Sequence, residues 1–307
     1  MVLPPLNFAE MYAKVVASLV LTPLASHGLD IPFRNMFAFG DSYTTNGWNG
    51  NGDPTAPHSS VCFSGGPPWS VQFTEMTEMN LVDLAIAGAA VDNSIIFTGP
   101  LDFVGQTTTF LEQVAPFPDK VTWNSSDSLF TVSFGTNDVN NSFRNTNDTG
   151  TQLYSQVMDT YFTTVDRLYA AGARNFVFNN VVPFDRAQIG VGQGPELQEK
   201  LKQSILEFNA QLESSADAYC NSKSDIDTCV IFDTHTLFAD LMDHPDNFGF
   251  ESADGFCQSY ANKFNCDIDP TVDPTCLGPL AVYVWKDTLH PSYAADTFWA
   301  QGVIDEL

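Results

Sequence analysis

The chain has 307 residues, of which 44% are hydrophobic and 16% charged, a composition that can bury a sizeable core and excludes wholesale disorder. Lys+Arg number 12 against 37 Asp+Glu, for a formal charge of −25. Such a surface repels phosphate backbones, which excludes nucleic acid as a partner and favours an uncharged substrate.

The first feature in chain order is an apolar run over residues 15–25, following Lys14 and ending in the small residues Ala25 and Ser26. It is too short for a membrane span, which needs about 20 apolar residues. It reads as the core of a secretory signal peptide covering residues 1–27. A buried N-terminal helix is the other reading, because Glu10 does not suit a signal peptide. Residues 35–40 form the first expected strand, ended by Gly40. A long loop over 47–68 leads to a helix over 69–79, opened by Pro67-Pro68. Strands follow at 81–85 and 129–134. A helix over 154–171 closes at Gly172, and a strand over 175–182 stops at Pro183. A helix over 197–219, a strand over 229–233, a long loop over 248–286 and a helix over 293–304 complete the chain.

Strands alternating with helices predict a mainly parallel sheet covered on both faces. With no internal repeat and no low-complexity linker, residues 28–307 read as one domain. Ligands of such sheets gather at the carboxyl ends of the strands.

Five of the six cysteines lie between Cys220 and Cys276, which suggests disulfides and an oxidising compartment. Cys220 and Cys229 flank a short polar turn and can pair locally; the other pairings stay open. Glycosylation sequons begin at Asn124, Asn140 and Asn147. These features point to a secreted, extracellular protein. His235 and His244 lie among aspartates, but their spacing fits no metal-ligand pattern. His58 reads as an exposed loop residue.

The strand ends carry the chemistry. The first runs into Gly40-Asp41-Ser42-Tyr43, the third into Gly135-Thr136-Asn137-Asp138, and Asp287-Thr288-Leu289-His290 precedes the last helix. A serine hydroxyl is a poor nucleophile until a base takes its proton. His290 can be that base, with Asp287 three residues earlier fixing its tautomer. Attack on an ester carbonyl creates an oxyanion, which needs preorganised N–H donors. The Ser42 backbone and the Asn137 amide can supply two, and Gly88 after the second strand a third. Asp41 reads as a turn former, and Asp138 as a support for Asn137.

Ser42, Gly88, Asn137 and the Asp287/His290 pair, in that order, resemble the four blocks of the GDSL, or SGNH, hydrolase superfamily. Tyr43 stands where that family's name has Leu. The resemblance spans residues 37–291. It implies a three-layer α/β/α sandwich, flavodoxin-like, with a parallel sheet of about five strands. It also implies a metal-free, cofactor-free ester hydrolysis through an acyl-enzyme. Asn46-Gly47-Trp48-Asn49-Gly50, Ala87-Gly88-Ala89-Ala90-Val91-Asp92-Asn93 and residues 283–292 are similar to the fungal family 16 carbohydrate esterases. That similarity implies removal of acetyl groups from xylo-oligosaccharides or other acetylated sugars. Trp48 and Asn49 become candidate sugar contacts, since an indole face stacks on a sugar ring and an amide binds hydroxyls; Trp48 packing inside its loop is the competing reading. The expected partner is a small acetylated carbohydrate, and the expected form a monomer. A lipase or phospholipase is the alternative, and a non-catalytic sugar-binding protein a remote one.

Overall fold

The computed structural model describes residues 31–56, 61–145 and 150–307. The signal-peptide assignment over 1–27, His58 and the Asn147 sequon lie outside them.

Five parallel strands, β1 (Asn35–Gly40), β2 (Asn80–Asp83), β3 (Ser128–Ser133), β4 (Asn175–Asn179) and β5 (Thr228–Phe232), form one sheet in the order β2-β1-β3-β4-β5. Every residue of β1, β3 and β4 is buried, as a parallel sheet covered on both faces requires. β2 and β5 are the edges and keep partly exposed residues. In register, Asn35 pairs with Asn80 on one side and Ser128 on the other. The chain therefore moves one way from β1 to β2 and the opposite way from β3 onward. The crevice at this reversal opens above the carboxyl ends of β1 and β3, where doubly wound folds bind ligands.

The helices fall into two packed sets. α1 (Trp69–Thr77) packs on α7 (Tyr293–Asp305), which also contacts α6 (Thr234–Asp243). The Trp69 and Trp299 rings stack 5.2 Å apart, and Phe238 meets the Trp299 ring edge-on. The other set comprises α2 (Phe103–Thr109), α3 (Thr136–Ser142), α4 (Thr151–Ala171) and α5 (Pro195–Ser222). There Phe37 and Phe39 of β1 meet Phe110 and Phe103, and Tyr154 of α4 meets Phe208 of α5. Fully burying each such aromatic is worth about 1.5–3 kcal/mol. The expected α/β/α layering and five-stranded parallel sheet are thus present.

All six cysteines pair: Cys220–Cys229, the local pair expected, with Cys257–Cys276 and Cys62–Cys266. The last two close the loop over 248–286 on itself and bind it to the loop over 47–68. Among the described residues no helix is long and apolar enough to cross a membrane.

Candidate active site

Ser42 lies on the turn that leaves β1. Thr44 and Thr45 N–H donate to Asp41 O, and Tyr43 N–H donates to Asp41 Oδ1 at 3.0 Å. A short aspartate suits such a turn because its side chain satisfies the backbone two residues on. Below it, the buried Gln106 side chain both accepts from Gly40 N–H and donates to Gly40 O, which caps the end of β1. Nothing in the sequence marked Gln106, whose partner is 66 residues away.

Ser42 Oγ lies 3.0 Å from His290 Nε2. His290 Nδ1 lies 3.0 Å and 2.9 Å from the two carboxyl oxygens of Asp287. Asp287 Oδ1 also accepts the backbone N–H groups of Leu289 and His290, both at 2.8 Å. Burial alone would raise the Asp287 carboxyl, but the His290 ring and these backbone donors outweigh it and hold it well below the usual carboxylate range. The carboxylate therefore stays ionised and fixes the tautomer that leaves Nε2 free to accept a proton. Tyr43 bonds Leu289 O through its hydroxyl at 2.7 Å, and its ring meets the imidazole edge-on. In the position of the family's Leu, it packs against His290. The Phe63 ring lies tilted against the imidazole with centroids 4.9 Å apart, a neighbour the sequence did not mark.

Asn137 stands in the first turn of α3, which starts from Gly135 at φ 126°. A Cβ at Gly135 would fall 2.4 Å from the Phe208 ring and 2.5 Å from Val181, so only glycine fits the turn. The Asn137 amide nitrogen donates to Asp41 Oδ2 at 3.1 Å and to Ala89 O at 2.9 Å. It thus bridges the turn of the serine and the loop carrying Gly88, which has φ 83°. Asp138 accepts from Val91 N–H, tying down that same loop. Asp83 accepts from Ala85 N–H and Asn46 N–H, linking the end of β2 to the segment after Ser42. Burial pushes Asp41 up to about 7, Asp83 to about 8 and Asp138 to about 7; repulsion between Asp41 and Asp138 adds to the first.

Ser42, His290 and Asp287 are brought into one hydrogen-bonded relay, and Asn137 and the Gly88 loop converge on the same turn. Trp48 is not part of this crevice. Only 2% of it is exposed, and its indole N–H donates to Asn51 O. Its ring is spent on core packing, which corrects the expectation of a sugar-stacking face. Asn49 is exposed and turned back on its own loop, accepting from Asn51 N–H. His235 and His244 lie at opposite ends of α6; among the described residues no cluster of three metal-ligating side chains forms.

Residues 36–303 match the family model described as GDSL-like lipase/acylhydrolase. The chain is 28% identical to an acetylesterase from Thermothelomyces thermophilus, over 90% of this chain and 89% of that one. It is 26% identical to an acetylesterase from Hypocrea jecorina, over 89% and 88%. Among solved structures, a catalytic mutant of Axe2, an acetylxylan esterase from Geobacillus stearothermophilus, shares the fold. Its TM-score is 0.50 at 13% identity, over 90% of this chain and 95% of that one. A match over most of the chain, with the relay intact, makes the protein a member of the GDSL-like lipase/acylhydrolase family and a carboxylic ester hydrolase.

Proposed function

We propose that the protein is a secreted serine esterase that removes acetyl groups from carbohydrates through an acyl-enzyme on Ser42. The observation that carries this reading is the hydrogen-bonded relay from Ser42 Oγ through His290 to Asp287. His290 takes the Ser42 proton as Oγ bonds to the ester carbonyl carbon, and returns it to the leaving alcohol. A water, deprotonated by the same imidazole, then releases acetate. Ser42 N–H, Gly88 N–H and the Asn137 amide stabilise the oxyanion. In the free enzyme both Asn137 N–H groups are engaged, so the oxyanion must share or replace one acceptor. Three disulfides fit export to an oxidising medium. The named activity of the two fungal relatives supports the acetyl group, and the high acidity of the chain supports a neutral leaving group.

A second reading, hydrolysis of longer acyl esters, has one observation in its favour. Val61, Phe264, Ile268, Val272 and Leu277 are exposed apolar residues on the disulfide-linked loops whose Phe63 touches His290. Such a surface could meet a lipid interface. Acetyl release from acetylated xylo-oligosaccharides, assayed beside a chain-length series of aryl esters, separates the two. Preference for acetate supports the first; preference for long chains replaces it with the second. Ser42→Ala should abolish turnover of an aryl acetate without unfolding the protein, and full retained turnover would remove Ser42 as nucleophile.

A further inference from the structure

Lys286 precedes the acid of the relay and has no exposed side-chain surface. An ammonium taken out of water needs partners to offset its desolvation. Lys286 Nζ has three: Asp287 Oδ2 at 3.2 Å, Ala261 O at 2.9 Å and the Phe264 ring, 4.0 Å from its centroid. Its backbone N–H donates to His290 O. Burial pulls the ammonium below its ordinary value, and Asp287 pulls the other way.

Each partner belongs to the site or to the loop that covers it. Asp287 Oδ2 receives both Lys286 Nζ and His290 Nδ1. Ala261 and Phe264 lie in the segment closed by Cys257–Cys276 and fastened by Cys62–Cys266. Phe63, beside Cys62, packs 5.3 Å from Phe264 and against His290.

We propose that Lys286 is a positioning residue of the relay: it braces the Asp287 carboxylate against the cross-linked loop, and so holds that carboxylate where it orients the His290 ring. This rests on the esterase reading above. Other groups also face this corner. Tyr43 and Asp41 come from the nucleophile turn, Tyr293 and Asp296 from α7, Tyr260 and the Lys263–Asp269 pair from the loop. Burial raises Tyr43, Tyr293 and Asp296 above their ordinary values.

The test measures kcat and KM on an aryl acetate for wild type, Lys286→Met and Lys286→Arg, with thermal melts. Met should lower kcat about tenfold or more with little change in KM, through loss of alignment. Arg keeps the charge and should restore kcat to near wild type. A Met variant that keeps the wild-type kcat, or an Arg variant that loses as much kcat as Met, overturns the proposal, because a purely structural lysine would lower the melting temperature without splitting kcat from KM. Should Met fail to fold, the wild-type enzyme decides by 15N NMR. The Lys286 ammonium should be protected from exchange; a freely exchanging ammonium overturns it. Activity surviving in Ser42→Ala would instead sink the relay itself.

Discussion

Asn137 joins two loops through a single nitrogen, with Asp41 Oδ2 on one side and Ala89 O on the other. Those two bonds aim the amide, and they predict a double consequence for Asn137→Ala. Loss of an oxyanion donor should lower kcat by about 10²–10³-fold with a smaller effect on KM. Leaving a buried Asp41 oxygen without its partner should also cost about 1–3 kcal/mol of stability. Steady-state kinetics and urea unfolding of the same variant read both, and an unchanged kcat would remove Asn137 from the oxyanion role. The residues that meet in the relay were legible in the sequence, because a hydroxyl, an imidazole and a carboxylate that are to hydrogen-bond in series are chemically specific. Trp48 shows the limit of that logic: an indole suits a sugar face and a core equally well, and its 2% exposure was decided by neighbours distant in sequence.

At the level of elements, the five strands and the helices α1, α4, α5 and α7 were readable from apolar runs and glycine or proline stops. α2, α3 and α6 were not. α3 starts at the turn after β3, and its seven residues, mostly polar, carry no periodic apolar face. α6 did leave a signal. Asp233 accepts from Thr236 N–H as its N-cap, and the buried Phe238, Leu241 and Met242 follow at helical spacing. The cross-linked loops are the elements that wall the imidazole. Cys62–Cys266 spans 204 residues, so its removal frees a very long segment of the unfolded chain. The Cys62→Ser/Cys266→Ser double variant should lose about 2–5 kcal/mol, read as a lowered melting temperature. It should also lose activity at temperatures below the melt, since Phe63 and Phe264 are no longer held beside His290 and Lys286. Unchanged activity below the melt would show that the loops are dispensable to the base.

For the whole molecule, charge and burial point the same way in pH. Asp41, Asp83, Asp138 and Asp296 all hold their protons more tightly when folded than the ordinary value of 3.8. Between about pH 4 and pH 8 the folded state therefore binds more protons than the unfolded one, and stability falls as pH rises through that window. The net charge of −25 adds self-repulsion in the same direction. Asp287 acts oppositely, contributing stability that is lost only as pH drops below the usual carboxylate range. The melting temperature should accordingly be higher at pH 5 than at pH 8.5. A melt that rises steadily across this interval would mean that these carboxyls are ionised in the folded state.

The sequence by itself determined the layering of the sheet, the order of the chemical blocks and the identity of the serine, histidine and aspartate. Those follow from local patterns, period and residue chemistry, which a linear reading can see. Only the tertiary structure decided which carboxyls are buried, that Lys286 rests on the acid of the relay, that Phe63 flanks the imidazole, and which cysteines pair across 204 residues. Burial and partnership are properties of side chains brought together from distant segments, and solvation and distance, which set charge and reactivity, exist only once the chain has closed.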